Sequence, residues 1–261
     1  MSEVWSIIIS NVVVFVMVLA RTAGIFTFNP IMSRQGVPNN VKVGMSFVLA
    51  AVIVSAGDFS YTMPSGLFPF VFDMGKELLV GAVLGFMVNM MLQVFSLAGE
   101  IIDMQIGLTM AKSYDPTFGN AGVATQYYSL WFMMYFFTVG GHKSYIQLCA
   151  ISYNSIPIGW TGLDINVFSL IVYYFENVLT LGLKLAMPII AAELITEFCI
   201  GIMMKAVPTI HVFVLNVQLK MLVGFVVLVA SAGVTAEFMD KIMGILFENL
   251  NGIMGRMLVG S

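Results

Sequence analysis

Charge is what this chain has least of. Only 10% of its residues are Asp, Glu, Lys or Arg, where an ordinary soluble domain carries ~25%. A water-exposed globule of 261 residues needs far more ionised surface, so a soluble enzyme and a disordered tail are both excluded. Basic excess is missing too: 11 Lys and Arg stand against 14 Asp and Glu, a net charge of −3. With no basic patch to meet phosphates, nucleic-acid binding is excluded. Cys149 and Cys199 form no CxxC, which removes a disulfide framework and a zinc site. His142 and His211 lie on different segments without companion ligands, so no metal centre is expected. HExxH, GxSxG, GxxxxGK(S/T) and a GxGxxG after a strand are all missing. These absences point away from an enzyme and from a cofactor.

What fills the chain is apolar: 59% of residues, with 21 Phe and 21 Met, and a mean hydropathy of +0.96. In lipid the backbone must pair within its own segment, so long apolar runs are read as helices, ~20 residues crossing the ~30 Å hydrocarbon layer. Six runs are predicted, at 4–28, 43–57, 67–105, 121–141, 167–204 and 210–236, followed by an amphipathic C-terminal helix at 237–258. The second run, between Lys42 and Asp58, is short for a span. The first opens MSEV, acidic where a cleaved leader is basic, and is expected to stay on the protein. Pro30, Pro38, Pro64, Pro69, Pro116 and Pro157 mark loops. Arg21, Arg34 and Lys42, against Glu3 alone before the first run, place the N-terminus outside. The expectation is an all-α membrane protein forming a single domain over 1–261.

Polar residues inside such runs need a reason, because a charge at the centre of a membrane helix costs ~2.5–3.5 kcal/mol. In the third run Gly85, Asn89, Gln93, Ser96, Glu100, Asp103 and Gly107 fall within an arc of about 80° at the helical period. Three readings fit this stripe: close helix packing through small residues and amides, a face wetted inside an assembly, or a proton relay at the Glu100–Asp103 pair, whose i, i+3 spacing points both carboxylates one way. In the fifth run Glu176, Lys184, Glu193, Glu197 and Lys205 spread over about half the circumference. Their mixed signs suit ion pairs within or between subunits, and snorkelling at the interface is the alternative for Glu176 and Lys205. Lys220 sits alone inside the sixth run.

Between the third and fourth runs lies GLTMAKSYDPTFGNAGVAT, 107–125. It is too polar to face lipid. It is either a surface loop or re-entrant backbone closing a cavity, which is allowed at membrane depth only inside protein. Met110 and Tyr114 are apolar enough to seal a constriction, and methionine adapts to irregular gaps.

Several stretches, in order, resemble one family. GEIIDMQIGLTMAKSYDP (99–116), FFTVGGHKSYIQLCAISYNSIPIG (136–159) and LKLAMPIIAAELITEFCIGIMMKAVPTIHVFVLNVQLK (183–220) look like landmarks of the FliR family of flagellar and type III export-apparatus membrane proteins. Arg21, Pro30, Pro38 and Lys42 resemble its N-terminal pattern. There are departures: Lys205 stands where Arg is usual, Thr209-Ile210-His211 replaces a Gln-containing stretch, and Gln218 stands where Pro is common. The resemblance implies tilted helical hairpins packed into a multi-subunit helical export gate, with FliP-like and FliQ-like subunits, an FlhB-like protein outside and an FlhA-like protein beneath. It implies an inner-membrane, flagellar basal-body location, and unfolded flagellar subunits as the cargo.

The implied roles fall on particular residues. Leu108, Thr109, Met110, Ala111, Lys112, Ser113, Tyr114, Asp115 and Pro116 would form a movable pore plug. Asn89, Gln93, Ser96, Glu100 and Asp103 would pack against neighbours or line a vestibule. Glu193, Glu197, Lys205 and Lys220 would supply intersubunit charges. The Gly-His and Pro-x-Gly landmarks look flagellar, and a virulence-type injectisome subunit is the alternative. A stand-alone proton-coupled transporter using Glu100 and Asp103 is a third reading; it predicts inverted repeats, which the sequence does not show. An intramembrane hydrolase would need a nucleophile–base pair, and none can be placed.

Overall fold

The structure is a computed structural model and describes residues 2–28, 38–57, 59, 61, 64, 66–109, 122–159, 166–206 and 212–257. Eight α-helices, and no strands, occur among the described residues: α1 Ser2–Thr27, α2 Asn39–Ala56, α3 Leu67–Ile106, α4 Val123–Thr138, α5 Gly141–Ser155, α6 Asn166–Ala206, α7 Val212–Ala230 and α8 Ala232–Met257. α2, α3 and the Ile171–Ala206 part of α6 are long and apolar enough to cross a membrane. Leu215–Ala230 with Ala232–Leu246 makes a fourth span if that bent pair counts as one. The chain is an all-α membrane protein.

Each predicted run holds a helix, and the differences have local causes. α2 begins at Asn39 instead of 43 because Pro38 starts it and the polar turn Asn39-Asn40-Val41-Lys42 is helical too. The run predicted as continuous over 210–236 is broken: at Ser231 the axis turns by 59°. Small residues there let side chains compete with the backbone ladder, and Ser231 Oγ donates to the Leu228 carbonyl at 3.1 Å. The amphipathic C-terminal helix therefore starts at Ala232, not 237. α5 corresponds to no predicted element. It is too polar to read as a span, yet Tyr145, Leu148, Cys149, Ser152 and Tyr153 are buried at i, i+3, i+4, i+7, i+8. That spacing is the signature of an amphipathic helix.

α3 and α6 have 40 and 41 residues, a contour of ~60 Å each, about twice the hydrocarbon layer. Pro69 sits in the first turn of α3, where no donor is required.

By packing, the chain divides into two units. The first comprises Met1–Met90, Gly140–Tyr174 and Leu246–Ser261. In it α1 and the N-terminal part of α3 touch through their backbones. A Cβ on Gly24 would lie 2.5 Å from the Leu78 carbonyl oxygen, one on Gly85 2.6 Å from that of Ile25, and one on Gly81 would overlap the Arg21 carbonyl. α2 leans on α1 through Thr22 Oγ1, which donates to the Ser46 carbonyl at 3.3 Å, and through an edge-on Phe15–Phe47 contact at 5.1 Å. α5 docks by its tyrosines: the Tyr153 and Tyr145 hydroxyls donate to the α1 carbonyls of Val18 at 3.0 Å and Ile25 at 3.1 Å.

The second unit comprises Met91–Val139 and Phe175–Ile245. Its core begins with a seam on α3, where Met91, Val94, Phe95, Ala98, Ile102 and Ile106 have no exposed surface. Phe95 stacks on Phe132 of α4 at 4.4 Å between centroids. Gly99 brings α3 against the Thr125 backbone. The Tyr135 hydroxyl of α4 donates to Asp240 of α8 at 2.7 Å.

Candidate functional site

The segment singled out in the sequence begins where α3 stops. Gly107 takes a left-handed conformation, φ +83°, which glycine adopts freely and which commonly ends a helix. Its N–H donates to the Met104 carbonyl at 3.2 Å. Leu108 is half-buried and Thr109 exposed; the Thr109 hydroxyl donates back to the Asp103 carbonyl at 3.3 Å. Met110, Ala111, Lys112, Ser113, Tyr114, Asp115 and Pro116 lie outside the described residues.

On the other flank, α4 starts after Gly122, which has no side chain to cap the helix. Asp103 supplies the cap from α3. Its carboxylate accepts the N–H of Ala124 at 3.0 Å, the N–H of Thr125 at 3.3 Å and the Thr125 hydroxyl at 3.0 Å. Asp103 has no exposed surface. A carboxylate at a helix N-terminus meets unpaired donors and the positive end of the helix dipole together, which is how this charge is compensated out of water.

The polar stripe of α3 does not behave as one surface. Asp103 is buried as a cap, Glu100 and Gln93 are exposed, and Asn89 and Ser96 are half-buried. Gly85 and Gly99 serve close packing. The two carboxylates therefore sit in different surroundings, one spent on α4 and one facing outward.

The charges of α6 and α7 separate as well. Glu197 and Lys220 form an ion pair within the chain. Glu193, one turn before Glu197, has no exposed surface, and neither carboxylate oxygen has a hydrogen-bond partner among the described residues. Its environment includes Gly224 of α7, where a Cβ would approach Glu193 Oε1 to 3.1 Å. Lys205 is exposed in the last turn of α6, and Glu176 and Lys184 are exposed along it.

One charged centre was not foreseen. In the first unit the Arg21 guanidinium of α1 grips Glu77 of α3: Nε to Oε2 2.7 Å and Nη2 to Oε2 2.7 Å, with both side chains at most 3% exposed. Arg21 Nη1 donates to the Ser152 carbonyl at 2.9 Å. Tyr153 lies under the guanidinium, 4.3 Å from the ring centroid. The remaining Glu77 oxygen accepts the Gly159 N–H at 3.1 Å. Beside it, the Tyr61 hydroxyl donates to Asp73 at 2.7 Å. The signal present in the sequence was two charges in apolar runs that both needed partners; 56 residues separate them, and helical spacing relates only residues of one helix.

Chemistry beyond ion pairing has little to work with. Among the described residues no three His, Cys, Asp or Glu side chains group to hold a metal. Cys149 is buried, and burial pushes its thiol up to about 12, far from the thiolate a nucleophile needs.

Comparison with known proteins bears on what such a scaffold is for. The family described as bacterial export proteins, family 1, matches residues 12–245. The chain belongs to that family. The match covers Arg21, Glu77, the stripe, the 107–122 segment and the α6–α7 charges. Among curated relatives of this export family is the flagellar biosynthetic protein FliR of Escherichia coli K12, 27% identical over 243 residues, 92% of each chain. That of Bacillus subtilis 168 is 24% identical over 250 residues, 94% of this chain and 95% of the relative. The surface presentation of antigens protein SpaR of Shigella flexneri is 25% identical over 242 residues, 89% of each.

Proposed function

We propose that this protein is a structural, pore-forming subunit of a flagellar type III export gate in the bacterial inner membrane. It assembles with FliP-like and FliQ-like subunits, with an FlhB-like protein outside and an FlhA-like protein beneath, and passes unfolded flagellar subunits. The observation that carries this reading is the export-family match across residues 12–245, with relatives of matching length that bear a flagellar biosynthetic name.

In this reading residues 108–116 are a displaceable plug that holds back small ions at rest. Exposed Gln93 and Glu100 meet neighbours or the wet vestibule. Glu193, whose oxygens lack donors among the described residues, and exposed Lys205 are pairing groups for other subunits. The driving energy comes from partner proteins and the proton motive force. Two measurements test it. Tagged protein expressed with its export partners should be recovered together with FliP-like and FliQ-like chains; recovery as a lone chain would remove the gate reading. Deleting residues 110–114 should raise the resting ion leak of cells, and an unaltered leak would remove the plug.

An injectisome subunit is a second reading, supported by the relative SpaR. Restoration of motility, and not of effector secretion, in a deletion strain separates the two. A proton-coupled transporter is disfavoured because the Asp103 carboxylate already accepts three hydrogen bonds.

A further inference from the structure

We infer that Asp103 is a positioning residue, a clasp that fixes both ends of the 107–122 segment to one point on α3. Its backbone carbonyl receives the Thr109 hydroxyl on the outgoing side. Its side chain receives Ala124 and Thr125 on the returning side. Gly122 completes the fit, because a Cβ there would collide with the Asp103 carboxylate. Fourteen residues, 108–121, separate the two glycines, and at ~3.3–3.6 Å each they could span several times the width of the clasp. The ends meet because one buried carboxylate holds them, at the entropic cost of closing a loop. Any displacement of the segment then turns about Gly107 and Gly122, while the end of α3 and the start of α4 stay in register. The clasp makes the segment a hinged unit, so it can be pushed aside without unwinding either helix.

The link from clasp to ion seal rests on the plug reading above; the clasp itself does not, and the experiment keeps them apart. Asp103→Ala leaves two N–H groups and a hydroxyl unpaired at a buried helix start. In the co-purified assembly, hydrogen exchange of the amides at 124 and 125 should rise roughly tenfold. Asp103→Asn, which keeps the shape and one acceptor oxygen, should rescue part of that protection. Gly122→Ala, which removes no polar group, should mimic Asp103→Ala. Met104→Ala, at an exposed neighbouring position, should do neither. If Asp103→Ala does not accumulate, Thr125→Val removes one donor alone and should show a smaller rise.

The second readout is resting ion leak at equal amounts of recovered complex, which a merely structural role would not move. Asp103→Ala should leak while subunit recovery stays normal. Unchanged amide exchange in Asp103→Ala and Gly122→Ala overturns the clasp, as does an unchanged leak in Asp103→Ala when deletion of 110–114 leaks. Faster exchange together with a deletion that does not leak upholds the clasp and removes the plug.

Discussion

A guanidinium with no exposed surface has to be matched on every side. Arg21 is matched by a carboxylate, a carbonyl and an aromatic face. Removing one member leaves the other charge buried, which typically costs ~3–5 kcal/mol. Arg21→Ala and Glu77→Ala should each lower the thermal midpoint of the detergent-solubilised protein by that order, while Arg21→Met with Glu77→Leu together should cost less than either alone. A double variant as unstable as the sum of the singles would mean that the pair is not a closed unit. Glu193 predicts the reverse. Its oxygens have no donor among the described residues, so Glu193→Gln should leave the isolated chain as stable or more so. If the residue pairs with a neighbouring subunit, recovery of the assembly should drop roughly tenfold or more; undiminished recovery would end its intersubunit role. The sequence displayed all these residues as charges in apolar runs. It did not show which were closed within the chain, because partners on other helices, as with Arg21 and Glu77 or Glu197 and Lys220, are set by tertiary packing alone.

Helices were the most legible scale, since an apolar run bounded by charge or proline states its own length. Periodicity needs closer attention than hydropathy: α5 hides in a polar stretch and shows only in the spacing from Tyr145 to Tyr153. The bend at Ser231 escaped because nothing in the run's hydropathy weakens there. The small residues of α3 carried a message that composition left ambiguous, and contact resolves it glycine by glycine. Gly85→Val should destabilise by ~3 kcal/mol or more, because its side chain would meet the α1 backbone and not a yielding side chain. Gly75→Ala, ten residues earlier on the same helix with nothing within 4 Å, should stabilise by ~0.5–1 kcal/mol through helix propensity. Thermal unfolding of both variants checks the pair, and like-signed shifts would mean that the α1–α3 contact is not what Gly85 serves.

Across the whole molecule the open question is what surrounds the apolar exterior. Val43, Val48 and Val52 of α2 are 67%, 62% and 55% exposed, on a helix of 18 residues, ~27 Å long and slightly shorter than the hydrocarbon layer. Lipid would cover such a face, and so would apolar surfaces of other subunits. Hydropathy cannot separate the two, since both surroundings are equally apolar; that is why six runs were legible in the sequence and their neighbours were not. Length favours protein: α3 and α6, at ~60 Å, exceed any bilayer's apolar depth, so part of each must lie beyond the hydrocarbon. A photo-crosslinking residue placed at 43, 48 or 52 in cells making the full export apparatus should therefore yield adducts with other polypeptides. The same residue at exposed positions of α6, such as 198 or 202, tests whether that cover extends along the second long helix. Adducts with lipid alone at every position would describe a solitary bundle in the bilayer, and would contradict a subunit whose apolar faces are completed by its assembly.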